Sequence, residues 1–439
     1  MLTNFLERTR FPESLVPLQS GSAVIRKDAR RSVDPTSVAP SSIDEIQNRF
    51  GTLQRFNEGM SLEQVFSEIN GTIDLLRFER YVPTESKGQG SKAKAAVRHL
   101  YYLLRPLFPV AFRKHLQRLA LRGWDSKSFP SWPVDTTTEK LMDTTWRRML
   151  DASGLEKLPF IWFWPDGHLS ACIMTHDVET KFGRDFCGEM MQLERRHGIV
   201  SAFEVVPEER YAVPNSFLEE IRKGGCEVCI HGLNHDGNDF KSKELFFERA
   251  KKINAYAEEW GARGYRSPVL YRNLEWINAL KFSYDLSVPN VGHLDPQPGG
   301  CCTVMPYFIG DLLELPLTTI QDYSLFNIVR QRSLDLWTKQ IQVIREQHGL
   351  VSFIIHPDYV QDRWATDLYD ALLKHLSDLR DRERLWTALP RDVDAWWRAR
   401  QAMQLVQSEG SWIIRGPEAE RARVAFASLE DGKLTYSLA

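Results

Sequence analysis

Between about residue 150 and residue 400, short apolar runs alternate with longer stretches in which apolar positions recur every three or four residues. The runs 160–164, 171–175, 201–206, 226–230, 264–266, 312–315 and 351–355 have the length and composition of strands. The periodic stretches 182–197, 215–223, 242–259, 273–281, 333–348 and 366–380 predict amphipathic helices between them. Alternation of this kind builds a mostly parallel sheet with helices packed on it, either closed as a barrel or open and doubly wound.

The flanks follow other patterns. Residues 1 to about 45 mix Pro, Ser, Thr and Arg without a period and predict irregular chain, whereas 62–80 has helical spacing. Residues 83–93 read as a linker or exposed loop. Residues 92–122 interleave Lys and Arg with apolar positions and contain no Asp or Glu; Pro106 and Pro109 would divide them into two helical pieces. That segment reads either as a helical hairpin with a solvated basic face or as a surface resting on an anionic membrane or polyanionic glycan. At the other end, 392–404 predicts a helix, and 411–415, 423–427 and 433–437 predict short strands. Gly416-Pro417 and Asp431-Gly432 supply the turns of a small β-meander that covers an edge or binds sugar. The expected division is therefore 1–150, irregular and helical; 151–400, α/β; and 401–439, a β appendage.

Composition narrows the classes. The chain has 439 residues, 43% hydrophobic and 26% charged, enough to bury a core. The formal net charge is -2, so nothing global points to nucleic acid. The N-terminus lacks the positive and apolar regions of a signal peptide, and no apolar run approaches the ~18 residues that span a bilayer. The expected location is cytoplasmic, with peripheral contact at the inner membrane surface open through 92–122. The six cysteines do not read as a disulfide framework. Cys226 and Cys229 lie three apart in an expected strand and so point to opposite faces.

Candidate chemistry collects at the ends of the expected strands. His231 and His235, spaced i, i+4, would lie on one face if the chain turns helically there. Asp177 and Glu179 lie two apart on an extended chain and can address one cavity. Arg266, Asp285 and His356 fall at or near the ends of later runs. Chemistry at many strand exits favours a barrel, since a wound sheet concentrates it at one switch point. A metal-assisted hydrolase needs about three protein ligands, a base and an acid. His231, His235 and a carboxylate from Asp177 or Glu179 can supply the ligands, the other carboxylate the base, and His356 the acid. Each also has a plainer account: Asp177 as a helix cap, Glu179 as a first-turn acid, Asn234 and Asp236 as turn formers, His356 as a satisfied core histidine, Arg266 as an ion-pair partner.

As a set, Thr175-His-Asp-Val-Glu179, His231-Gly-Leu-Asn-His235, Arg266-Ser-Pro268, Tyr284-Asp285-Leu-Ser287 and Ile355-His356-Pro-Asp358 resemble, in order, the five motifs of the NodB-type polysaccharide deacetylases, carbohydrate esterase family four. The resemblance covers roughly 160–390. It implies a distorted (β/α) barrel, a divalent metal (zinc commonly) and removal of an N- or O-linked acetyl group from a polysaccharide or lipid-linked saccharide. It also implies Asp177 as base, Arg266 as its tether, Glu179, His231 and His235 as metal ligands, His356 as acid, and Asp285 supporting His356. Two positions depart from the pattern: Val178 stands where a second Asp is usual, and Gly232 where Ser or Thr is common. The Pro- and Gly-rich loop 285–325 would shape the groove, with Gln321 and Asp322 as sugar contacts. The rival readings are a metal-dependent amidase or deformylase on another small substrate, a carbohydrate-binding relative without activity, and a membrane-surface assembly factor built on 92–122.

Overall fold

The computed structural model describes residues 2–16, 60–82 and 121–439, so the 83–93 linker and all but the end of the 92–122 segment lie outside the described residues. The chain enters through α1 (Thr3–Thr9), α2 (Leu62–Arg77) and α3 (Thr137–Ser153), then β1 (Lys157–Ile161). It continues as β2 (Ser170–Val178), α4 (Lys181–Arg196), β3 (Ser201–Val205), α5 (Asn215–Lys223), β4 (Glu227–His231), α6 (Lys243–Trp260) and β5 (Gly264–Arg266). Three short strands follow, β6 (Tyr284–Asp285), β7 (Tyr307–Ile309) and β8 (Leu312–Glu314). Then come α7 (Asp335–Glu346), β9 (Leu350–Ile354), α8 (Arg363–Glu383), β10 (Leu385–Ala388) and α9 (Pro390–Ala402). The tail is β11 (Gln404–Ser408), β12 (Ser411–Arg415), β13 (Val424–Glu430) and β14 (Lys433–Leu438).

The central strands are apolar without alternation because both their faces are covered, which is the condition of a parallel sheet under helices. Every residue of β2, β3, β4 and β9 is buried. β2 is long because its neighbours change along it. β9 pairs with 171–175 on one edge; on the other, β10 pairs with 170–173 and β3 with 174–178. From β3 the sheet runs through β4, β5, β6 and β8 in parallel, with β7 antiparallel at the far edge. Residues 317–319 close the ring: Leu317 N–H donates to Val288 O at 3.0 Å, and Thr319 N–H to Ser352 O at 3.2 Å. Thr318 Oγ1 donates to Leu350 O at 2.8 Å. The closure runs through one irregular segment and two hydroxyls rather than a ladder, so the architecture is a distorted (β/α) barrel. Because these barrel strands are parallel, their C-terminal ends share one face.

Several expectations change. Residues 273–281 form only a 3₁₀ turn at Ile277–Ala279. Their buried positions Leu274, Ile277 and Leu280 recur every three residues, which suits a 3₁₀ turn better than an α-helix. Residues 2–16 are not irregular: α1 seats Phe5 on Trp146 of α3 with centroids 4.6 Å apart, and Asn4 hydrogen-bonds Asn70 and Asp74 of α2. The tail is not one meander. β11 and β12 form their own hairpin, and β13 lies between β1 and β14. The run read at 160–164 thus contributes β1 to the tail sheet, outside the barrel. The Asp431-Gly432 turn is present, with φ of 48° and 72°. All six cysteines are buried and free; Cys226 Sγ contacts Ser201 and Cys229 Sγ contacts Tyr284. Among the described residues no helix is long and apolar enough to cross a membrane.

The loop after β6 is mostly buried, and at Gly300 it packs on the N-terminal region. Gly300 N–H donates to Glu79 at 2.6 Å and Tyr81 OH donates to Gly300 O at 2.8 Å; Glu79 also pairs with Arg272, which lies before β6.

At the opposite, N-terminal end of the strands, Glu227 is buried and accepts from Arg391 N–H at 3.1 Å. Burial pushes its carboxyl up to about 7, against the pull of Tyr284 and Arg391. A raised carboxyl binds its proton more tightly in the folded state, so stability drops as pH rises through the range between the unfolded value and about 7. Glu227→Gln keeps the acceptor and removes the charge. It is expected to raise stability above pH 7 by on the order of 1–3 kcal/mol and to change little at pH 4. Urea unfolding at the two pH values measures this; equal effects at both would contradict it.

Candidate metal centre

β2 sets the geometry through its alternation. Thr175 and Asp177 face the barrel interior, while His176 faces outward and hydrogen-bonds Glu194 of α4. Arg266, wholly buried at the end of β5, reaches across the interior. Its Nη1 donates to Asp177 Oδ1 at 2.8 Å and to Thr175 Oγ1 at 2.7 Å, and its Nε to Leu286 O at 3.1 Å. Burial pushes the Asp177 carboxyl up, but Arg266, by charge and hydrogen bond, and His356 outweigh it and hold it below the ordinary value. Asp177 is therefore ionised at neutral pH, with Oδ2 turned toward the imidazoles.

His231 ends β4. Its Nδ1 lies 3.2 Å from Arg266 O. A carbonyl only accepts, so Nδ1 carries the hydrogen and Nε2 keeps its lone pair. Burial lowers His231 to about 4, so the ring is neutral. His235 does not reach its position through a helical turn, as the i, i+4 spacing suggested. The loop bends at Gly232 and Gly237, with φ of 62° and 74°, and His235 itself sits at φ 55°. The two rings end 4.9 Å apart. Glu179, just past β2, brings Oε1 to 3.0 Å from His235 Nε2.

One ligand atom each from Glu179, His231 and His235 lies within 4.8 Å of the others. Nε2 of both histidines is buried; that of His231 has no hydrogen-bond partner, and that of His235 has Glu179 Oε1 at 3.0 Å. Stranding a buried polar atom costs about 1–3 kcal/mol, and His231 Nε2 is an acceptor without a donor. Two imidazole nitrogens and a carboxylate oxygen converging in this way fit a divalent cation of zinc's preferences.

Both departures from the motif pattern have local causes. Val178 points away from the interior into an apolar cluster with Cys187, Met191 and Val205. A carboxylate there would be buried in hydrocarbon, and Glu179, one residue on, reaches the imidazoles. At Gly232 a Cβ would come within 2.4 Å of Pro268 Cγ and 2.7 Å of Asp239 Oδ2, so the close approach of Pro268 leaves room for glycine only.

His356 follows β9 and faces the same space from the other side. Its Nε2 is 3.7 Å from Glu179 Oε1 and 4.0 Å from Asp177 Oδ2. Its support is not Asp285. Asp322 accepts from His356 Nδ1 at 2.6 Å and from its backbone N–H at 2.8 Å. Burial lowers His356, but Asp322, Glu179 and Asp177 together raise it to about 10. Asp285 instead accepts from Ser287 Oγ at 2.7 Å and pairs with the buried Glu314. Asp322, expected as a sugar contact, is fully buried behind His356, and Gln321 donates to Asp295 at 3.1 Å.

Glu204 was not among the expected residues. It stands opposite Asp177 in the register of β2 and β3, wholly buried, with Oε2 accepting from His176 N–H at 2.9 Å. It lies 3.7 Å from Arg266 Nη1. Burial and Asp177 raise its carboxyl well above the usual range despite Arg266, so it is the neutral member of the pair. A charged residue inside an otherwise apolar strand run was the available signal.

No family model matches the chain, and no curated protein does. Solved structures similar in fold include a protein described as a polysaccharide deacetylase from Mycobacterium smegmatis, at 17% identity, covering 57% of this chain and 98% of that one, with a TM-score of 0.46. An allantoinase, PuuE, is similar at 12% identity, 54% and 92% coverage and a TM-score of 0.43. The peptidoglycan deacetylase PdaC from Bacillus subtilis is similar at 14% identity, 54% and 96% coverage and a TM-score of 0.36. Likenesses at this level assign no role to any residue here.

Proposed function

We propose that the chain is a metal-dependent hydrolase that removes acyl groups, acetyl first among them, from a saccharide. The observation that carries the reading is the convergence of two buried Nε2 atoms, that of His231 without a partner, on Glu179, flanked by an ionised carboxylate on one side and a protonated imidazole on the other. Glu179, His231 and His235 would hold the ion, zinc by the chemistry of the donor set, and when bound it would polarise the acyl carbonyl and acidify a water. Asp177, kept charged and aimed by Arg266, takes the proton of the attacking water. His356, kept protonated and aimed by Asp322, gives a proton to the leaving amine or alcohol. The test is elemental analysis of the purified protein together with acetate release from acetylated saccharides. Stoichiometric zinc and acetate release support the reading; absence of zinc binding removes it.

Asp322→Asn removes the largest charge that raises His356. The imidazole then loses its proton at lower pH. The alkaline limb of kcat/KM against pH is expected to move down by about 1–3 units. A cation at the three ligands lowers the starting value by repulsion and leaves the direction of this shift unchanged. An unmoved limb would exclude His356 as the acid.

A further inference from the structure

From the geometry of the loop between β4 and α6 we infer that Arg249, on α6 and outside the set of groups that face the acyl carbon, is the positioning residue that makes His235 a metal ligand. The inference rests on the metal-site reading above. The loop is unusual in its backbone: Gly232, His235 and Gly237 all lie in the left-handed region, and His235 is the one with a side chain. A histidine stays there only when its surroundings hold it. Its neighbours are held by a single guanidinium. Arg249 Nη1 donates to Asp236 Oδ1 at 2.7 Å and to Asp239 Oδ1 at 2.7 Å, and lies 3.4 Å from Asn234 Oδ1. Its Nη2 donates to Asp236 Oδ2 at 2.6 Å. The residues before and after His235 are thus tied to one rigid point on a helix.

The clamp continues inward. Asp236 N–H donates to Asn234 Oδ1 at 3.3 Å, and Asn238 N–H to Asp236 Oδ1 at 2.8 Å, so the side chains Arg249 holds also cap the turn. Asp239 is buried, and its Oδ2 marks the wall that a Cβ on Gly232 would strike. A planar fork with donors in fixed directions can satisfy these acceptors together, and an ammonium cannot. Without the fork, two carboxylates and an amide around one turn have no common partner, and the loop is free to leave the left-handed conformation that points His235 at Glu179.

Two readouts separate positioning from general support of the fold. The first is zinc affinity of the full chain, measured by competition with a chromophoric chelator. The second is the same measurement in a His235→Ala background. Arg249→Gln is expected to weaken zinc binding by roughly 10–100-fold in the native background, and by less than about threefold once His235 is absent. Arg249→Lys is expected to recover little, and Asp236→Asn to reproduce part of the loss from the exposed side of the pair. Native-like zinc affinity in Arg249→Gln overturns the inference, and so does an equal loss in both backgrounds. If Arg249→Gln does not fold, Asp236→Asn carries the same comparison. Native protein that binds no zinc removes the metal-site reading and this inference with it, whereas zinc-binding native protein with indifferent variants removes this inference alone.

Discussion

Replacing Arg266 with methionine is expected to cost about 3–5 kcal/mol of stability at pH 8, and distinctly less at pH 5. The guanidinium is fully buried among Asp177, Thr175, Leu286 O and Glu204. Methionine fills much of the volume and removes the charge, so what remains is a carboxylate in low dielectric without its cation. The pH dependence follows from the direction of the Asp177 shift. In the native chain the folded carboxyl is depressed, so its stabilisation is present above the unfolded value of about 3.9 and lost as pH falls through the lower folded value. In the variant, burial acts unopposed by Arg266 and raises the folded value. Each pH unit above about 4 then costs stability until that new value is passed, so the deficit against native protein widens with pH. Urea unfolding at pH 5 and pH 8 measures it. A loss equal at both would mean that packing, not charge compensation, is what Arg266 supplies.

The second large effect concerns activity. Asp177→Asn is expected to lower acyl release by about 10²–10⁴-fold, while zinc affinity changes by less than about tenfold because Glu179, His231 and His235 are untouched. Asparagine preserves the shape, and its oxygen can still accept from Arg266; the lost property is the ability to take a proton. The fold is expected to tolerate the change better than Arg266→Met, because Glu204 stands 3.7 Å from the guanidinium and can ionise to replace the missing anion. Acetate release and chelator competition on the same preparation separate the two properties. Unchanged acetate release would strike Asp177 from the mechanism. Loss of zinc would make it a ligand and shift the base role to Glu179.

The element pattern from 150 to 400 was legible because parallel strands covered on both faces must be apolar throughout, and the helices between them must show one apolar stripe. The runs at 264–266 and 201–206 and the helix at 215–223 lie within a residue of β5, β3 and α5. The same logic put Asp177, Glu179, His231, His235, Arg266 and His356 at strand exits, and closure of the barrel brings those side chains to one space. β6, of two residues, carries too few positions to show a period, and β7 was not read as a strand. β1 read as a barrel strand because apolar alternation does not name its partner.

Residue type and strand position, then, were set along the chain: which groups could do chemistry and which end of the barrel they occupy. Partner choice was decided only by the closed fold. Asp322 lies 34 residues from His356 and meets it because residues 317–319 seal the ring beside β9, while the equally plausible Asp285 is drawn to Glu314. Glu204 faces Asp177 through strand register, and Arg249 holds the His235 loop from a neighbouring helix. Hydrogen bonds and charge pairs act over about 3–4 Å, and separations along the chain say nothing about distances of that size until packing has fixed them.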